Sequence, residues 1–349
     1  MSFAVIGAGN TGQAIAAYLS LHGEEVKLYS RDTQKADKIS SNGLILKGVY
    51  SGKVSIKASA HLKEVAEEAE FIIITTTAAG HKPIFQQLKP LLKDHQTMVI
   101  FPGYWGAVEC KEIFGRTFED KKITIAETSA MPFVSKADNN GTVHISKVKQ
   151  NVLISSISNT ANTPLSPKFY STFPQLIPAK NVFETSINNT NVAIHAPMAI
   201  FNASRIDASE EFLFYPQGVS RKTVSYIEKL DEERLSLAKV LGVETQDILT
   251  LLNTFYKTEF SSLYTALPEL FPKGNGPASL EHRYVTEDIP YGLVPISELA
   301  KLAGMNTPYS DAIIETASLL TGRDFRKEGV NFSGLTREGI QGLGGVIHS

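Results

Sequence analysis

Two polar residues interrupt an apolar stretch in Thr185-Ser-Ile-Asn-Asn-Thr-Asn191-Val-Ala-Ile-His195-Ala-Pro197-Met-Ala-Ile-Phe-Asn202. Asn191 and His195 stand four apart, so on a helix they share a face. Ile187, Val192, Ala196 and Ala199 surround them, which makes the helix a buried one, and buried polar groups need partners. An imidazole titrates near ~6.5 and both accepts and donates a proton at neutral pH, so His195 is the candidate acid–base group. Pro197 removes a backbone donor from the same helix. The competing reading is a satisfied His–Asn pair in a core. His22, His61, His81, His95, His144, His282 and His348 carry that reading or a surface one, with His81 a second candidate for lining a cofactor pocket. A further chemical stretch is Arg283-Tyr-Val-Thr-Glu-Asp288-Ile-Pro290-Tyr-Gly292. There Arg283 suits a bidentate carboxylate clamp. Asp288 suits the carboxylate that orients and stabilises a protonated His195. Ordinary loop salt bridges are the alternative.

At the other end of the chain, Gly7-Ala-Gly9-Asn10-Thr11-Gly12 follows an apolar β-type run and opens a helical one. Gly7 permits the tight turn, Gly9 lets the backbone approach a pyrophosphate, and Gly12 allows close helix–strand packing. The helix N-terminus, including Asn10 and Thr11, favours the anion. A dinucleotide site is therefore predicted. The second strand, Val26-Lys-Leu-Tyr-Ser30-Arg31-Asp32, has Ser30 where an NAD-preferring site carries an acid, followed by Arg31, which can pair with a phosphate. This favours NADP over NAD, with Asp32 the competing ribose acceptor and a solvated Arg31 the plainer reading.

These residues need elements to hold them. Ser2–Gly7, Val26–Tyr29, Phe71–Thr75, Met98–Phe101 and Ile123–Ala126 are short apolar runs separated by helix-sized stretches, the pattern of parallel strands buried on both faces. A doubly wound α/β sheet follows. Residues 43–57 predict a small β excursion around Ser51-Gly52, and Thr142–Ile145 with Asn151–Ser155 predict a late hairpin. Ser158–Lys180, with Pro164, Pro167, Pro174 and Pro178, reads as a junction. Beyond it the strand signal fades. Lys222–Leu241 places Ile227, Leu230, Leu237 and Leu241 on one stripe, with Asp231, Glu232 and Glu233 elsewhere, and Ile296–Leu302 and Ala312–Leu320 are also helical. The expected division is an NAD(P)-binding domain over 1–165, a junction over 166–180 and an all-α substrate domain over 181–349. A short helix in a loose glycine-rich tail is expected after Gly322. Tyr104-Trp105 is expected to pack rather than to form a lid.

Composition narrows the function. The 349 residues include 34 Lys+Arg against 36 Asp+Glu, a formal charge of −2, so a nucleic-acid partner is not expected. The 42% hydrophobic content supports a buried core. Cys110 is the single cysteine, which excludes an intrachain disulfide and a multi-Cys zinc site; no metal is expected. No run approaches the ~20 residues of a membrane span and no signal peptide is read, so a cytoplasmic protein is expected. A homodimer is compatible with the sequence.

Taken together, these motifs resemble the opine dehydrogenase family, which includes octopine and nopaline dehydrogenases and N-(1-carboxyethyl)norvaline dehydrogenase. The similarity runs through most of the chain. It includes the glycine motif, Pro102-Gly103 with Gly106-Ala107, Glu127-Thr128 with Pro132, and Phe173-Pro-Gln-Leu176. It continues through Asn181-Val-Phe-Glu-Thr-Ser186, Asn191-x-x-x-His195-x-Pro197, Asn202-Ala203 and Arg283-x-x-x-x-Asp288-x-Pro-Tyr-Gly-x-Val-Pro295. Ser135-Lys136 departs from the Cys-Arg expected after Pro132. The resemblance implies a Rossmann-type domain followed by an all-α domain like the C-terminal part of 6-phosphogluconate dehydrogenase. It implies NAD(P)H-dependent reductive condensation of an amino acid with a 2-keto acid through an imine. It also implies a catalytic His195–Asp288 dyad, with Asn191 and Arg283 binding substrate. One alternative is a ketopantoate reductase-like enzyme, whose family places a catalytic Lys on the first long helix of the second domain. No Lys lies between Lys180 and Lys222 here. Another is a catalytically idle NADP-binding regulator.

Overall fold

A computed structural model describes residues 1–157 and 165–330, together with Phe332, Leu335, Thr336, Gly339, Ile340 and Leu343. The chain divides into two compact units, Met1–Thr185 and Ser186–Ser349.

Among its described residues the first unit holds twelve strands: β1 (Ser2–Ile6), β2 (Glu25–Tyr29), β3 (Leu44–Gly48), β4 (Gly52–Val54), β5 (Lys57–Ser59), β6 (Phe71–Ile74), β7 (Thr97–Ile100), β8 (Thr124–Thr128), β9 (Phe133–Ala137), β10 (Thr142–Val148), β11 (Val152–Ile157) and β12 (Leu176–Pro178). Eight form one sheet in the order β12-β11-β8-β7-β6-β1-β2-β5. From β8 to β5 every pairing is parallel, whereas β11 enters antiparallel to β8. All four residues of β6 are buried, as expected of a strand covered on both faces. The strand order reverses between β1 and β6, and ligands of open α/β sheets bind outside the carboxyl ends of the strands at such a point. The other four strands form a second sheet in the order β4-β3-β10-β9.

Two expectations are corrected here. The late hairpin does not form: β10 pairs with β3 and β9, whereas β11 pairs with β8 and β12. The chain passes from one sheet to the other through Asn151, which adopts a left-handed φ of 53°. Nor does 166–180 act as a junction. It forms the helix Pro167–Thr172 and β12, both in the first unit. The prolines were misleading because they occupy tolerated positions. Pro167 lies in the first helical turn, where a missing N–H costs nothing, behind a Ser166 cap that accepts the Phe169 N–H. Pro178 ends an edge strand. Residues 158–164, including Pro164, lie outside the described residues.

Among its described residues the second unit consists of helices and the loops joining them, with one isolated bridge between Leu213 and Asn275. Its longest helix, Arg221–Val240, starts at a Ser220 cap that accepts the Thr223 N–H and is followed by Gly242 at φ 65°. Ile227, Leu230 and Leu237 are buried as the stripe predicts. Asp231 and Glu233 are buried too, against the expectation of a polar face. Asp231 pairs with Arg234 at 2.7 Å. Glu233 accepts the N–H groups of Tyr309 and Ser310 and so satisfies the exposed donors at the start of the helix Pro308–Thr321. The helix Phe325–Glu328 opens the tail; Gly334, Gly342, Gly344 and Gly345 lie outside the described residues. Among the described residues no helix is long and apolar enough to cross a membrane.

Candidate active site

The glycine motif leaves β1 at the switch point and enters the helix Asn10–Leu21. Gly7 takes φ 115°, open in practice only to glycine. A Cβ on Gly12 would stand 1.7 Å from the Gly7 carbonyl oxygen, so this position must be bare for the helix to approach its own loop. A Cβ on Gly9 would meet nothing within 4 Å. The chain therefore leaves open space beside Gly9, where a pyrophosphate would approach the backbone at the helix N-terminus. The residues present fit a dinucleotide. Thr11 lies half-buried in the first helical turn. Asn10 contributes differently from expectation: its side-chain oxygen accepts the Ala137 N–H of β9 at 2.9 Å, and its carbonyl accepts from the Ser135 hydroxyl. Its side-chain oxygen thus ties the loop to the second sheet.

At the end of β2, Ser30 is buried and its hydroxyl accepts the Asp32 N–H. One oxygen of the Asp32 carboxylate accepts the Lys35 N–H as the cap of the helix Thr33–Asn42. Arg31 is exposed. His81 is fully buried, and desolvation depresses its pKa to about 3, so it is neutral. It packs on Phe85 and against Gly106. Tyr104 and Trp105 are buried with left-handed φ of 49° and 64°, and Trp105 packs edge-on against Phe183.

In the second unit, His195 lies on the buried helix Thr190–Ile200. Its Nδ1 is 2.9 Å from Oδ2 of Asp288, a side chain with no solvent exposure. Asn191 is half-buried one turn earlier on the same helix. Asp288 is brought there by an irregularity: the short helix Arg283–Thr286 gives way to a π-helical turn over Ile289–Leu293, a form often found at functional sites. The Pro-Tyr-Gly run has a packing reason. A Cβ on Gly292 would meet Val192 at 2.5 Å, so the bare Gly292 lets the π-turn lie against the His195 helix. Gly329 must likewise be bare beside the Pro290 carbonyl, 1.7 Å from where its Cβ would stand.

Arg283 is about half exposed and reaches Glu287 at 3.4 Å. Its guanidinium also stands over the Tyr284 ring, which packs in turn against the His195 imidazole at 4.1 Å between centroids, the His282 imidazole at 4.3 Å and the Phe214 ring at 4.9 Å. Tyr284, Tyr215 and His282 were not singled out in the sequence. Burial raises the Tyr284 hydroxyl pKa and raises that of Tyr215 well above the ordinary range. His282 caps its helix through Nδ1, which accepts the Tyr284 N–H. Burial, and then the neighbouring Arg283 and His195, lower its pKa to about 4. The spacing signal pointed to Arg283 and Asp288, but aromatic residues between them carry no chemistry that a single sequence flags.

A glycine loop at the switch point of a parallel sheet, with a buried imidazole–carboxylate pair in a separate helical unit, defines an NAD(P)-dependent dehydrogenase. The family model described as the alpha-helical domain of NAD/NADP octopine/nopaline dehydrogenase matches residues 178–321, and the ketopantoate reductase PanE/ApbA model matches residues 3–157. The opine dehydrogenase of Arthrobacter sp. (strain 1C) is 30% identical, the match covering 97% of this chain and 98% of that one. Protein ocs of Agrobacterium vitis is 25% identical over 98% of this chain and 99% of its own. Among solved structures, octopine dehydrogenase in complex with NADH and agmatine shares the fold at a TM-score of 0.77, with 20% identity, covering 92% of this chain and 90% of that one. NADP+-bound yersinopine dehydrogenase does so at 0.73, with 16% identity, covering 98% and 96%. The chain belongs to the opine dehydrogenase family. It is an NAD(P)-dependent dehydrogenase that catalyses the reductive condensation of an amino acid with a 2-keto acid.

Proposed function

We propose that His195 is the acid–base catalyst of this condensation, that Asp288 positions it, that Arg283 and Asn191 bind substrate, and that the cofactor is NADP in preference to NAD. The observation that carries the reading is the 2.9 Å pair of His195 Nδ1 with the buried Asp288 carboxylate. That bond sets the tautomer, so Nε2 is the nitrogen that exchanges a proton with substrate. The amine of the amino acid attacks the keto carbon to give a carbinolamine. His195 Nε2 protonates its hydroxyl, which departs as water and leaves an iminium ion. When bound, NAD(P)H supplies a hydride, and the product is a secondary amine bearing two carboxylates. Asp288 stabilises the imidazolium whenever His195 holds both protons. Arg283 presents a planar fork suited to a substrate carboxylate, and the Asn191 amide, one turn from His195, hydrogen-bonds the same ligand. Gly7, Gly9, Gly12 and the backbone of Asn10 and Thr11 would hold the pyrophosphate. Preference for NADP is supported by Ser30 in place of an acid and by the exposed Arg31.

The test is NADPH oxidation with a panel of 2-keto acids, with and without a panel of amino acids. Oxidation that requires both supports the reading. Oxidation without the amine would favour a simple keto-acid reductase, the activity named by the family model that matches residues 3–157. Arg31→Ala should weaken NADPH binding while leaving NADH binding unchanged; equal effects on both would overturn the NADP preference.

A further inference from the structure

The helix that carries His195 begins at Asn189, whose side-chain oxygen accepts the Asn191 N–H at 3.2 Å. This bond fixes the amide: its oxygen faces the helix backbone, and its nitrogen must point away from those donors. Asn189 is only 3% exposed, yet its Nδ2 has no hydrogen-bond partner among the described residues. Buried N–H groups are almost always paired, and an Asn amide brings two donors. The site also lies at the N-terminus of an 11-residue helix, where the backbone favours a negative group. A buried donor with nothing to bind, at the positive end of the helix bearing the acid–base candidate, calls for an anionic oxygen.

We infer that Asn189 is a substrate-binding residue whose Nδ2 donates to a carboxylate oxygen of the reacting keto acid or amino acid. The inference rests on the proposed function and extends it to a residue that lies outside the Asn–His–Pro motif. The same chemistry has a second source, the carboxamide oxygen of the nicotinamide, and the test separates the two. Asn189→Asp keeps the capping oxygen, removes the donor and places a negative charge against the incoming carboxylate. Asn189→Ser keeps a cap without the charge. Asp32, Ser220, Asp247 and Ser262 already cap helices in this chain, so both variants should fold, and Asp at this helix end should raise Tm slightly if it changes it.

With the full-length enzyme, KM for one of the two carboxylate substrates should rise about 100-fold in Asn189→Asp and about tenfold in Asn189→Ser, while Kd for NADPH stays within about twofold. A readout independent of turnover is the Tm increase caused by pyruvate and other 2-keto acids in the presence of NADPH, which should be present in the wild type and lost in Asn189→Asp. Unchanged KM and a retained thermal shift in Asn189→Asp would overturn the inference, as would a loss confined to NADPH affinity, which would assign the donor to the cofactor. A wild type that shows the keto-acid thermal shift but no amine-dependent turnover would defeat the proposed function while leaving Asn189 testable by that shift. A wild type with neither would defeat both.

Discussion

Replacing Asp288 with Asn is the sharpest perturbation of the dyad. The amide is nearly isosteric, so it fills the same fully buried space, but it carries no charge to set against the imidazolium that forms when His195 takes up a proton. With Nδ1 and Oδ2 2.9 Å apart, the charge centres lie about 4 Å apart, where opposite charges attract by ~4 kcal/mol at an effective dielectric constant of about 20. That attraction exists only in the protonated states on the reaction path, so its loss falls on the barrier. At 1.36 kcal/mol per decade, kcat/KM should drop about a thousandfold. The assay is steady-state NADPH oxidation with varied keto acid at saturating amine, beside a fluorescence titration of NADPH. Kd for NADPH should stay within about twofold, because the glycine loop belongs to the other unit. A fall of less than about tenfold in a folded Asp288→Asn enzyme would refute the role of this carboxylate.

Four further substitutions carry expected outcomes. Gly9→Ala should leave Tm unchanged, because its Cβ would meet nothing within 4 Å, yet raise Kd for NADPH at least about tenfold. Gly12→Ala, whose Cβ would stand 1.7 Å from the Gly7 carbonyl, should lower both Tm and cofactor affinity; thermal melts with NADPH titration check the contrast. Gly292→Ala should reduce turnover by pushing the π-turn off Val192, 2.5 Å from the new Cβ, and adding Val192→Ala should restore much of it; a double variant no better than the single one would show that this contact does not position Asp288. Burial raises the Glu109 carboxyl from its ordinary 4.5 to about 7. The folded state then keeps a proton that the unfolded chain releases near 4.5, so stability falls as pH rises from about 4.5 to about 7. The loss reaches ~3 kcal/mol at most, and Glu109→Gln should flatten that part of the denaturation profile measured between these pH values.

Much of the fold could be read from local signals. The continuous apolar runs around Phe71–Ile74 and Thr97–Ile100 announced buried parallel strands, and the apolar stripe of Lys222–Leu241 announced the long helix, whose Ser220 cap the structure adds. What escaped depended on partners distant in sequence. Strand β9 has no apolar alternation of its own, and β10 was matched to the wrong neighbour because adjacency in sequence says nothing of a change of sheet at Asn151. The prolines of 166–180 read as breakers because a composition signal cannot tell a tolerated first-turn or edge position from an interior one. Residue type and spacing offered Asn191, His195, Arg283 and Asp288 as candidates among plainer readings, and the family resemblance gave them their proposed roles. The meeting of His195 with Asp288, 93 residues apart, is a property of the fold. Asp231 and Glu233 were misjudged for the same reason: their partners, Arg234 and the backbone at Tyr309 and Ser310, decide whether a charge can be buried. The orphaned donor of Asn189 has no sequence signature, because it becomes visible only when its burial is known.

On the proposed function, a single imidazole carries the proton transfers of the condensation. Amine-dependent NADPH oxidation and NADPH affinity, measured side by side in wild type and His195→Ala, decide whether it does. Turnover should fall by about 100- to 10,000-fold with cofactor affinity essentially unchanged. Turnover that survives the substitution in a folded enzyme would contradict the assignment.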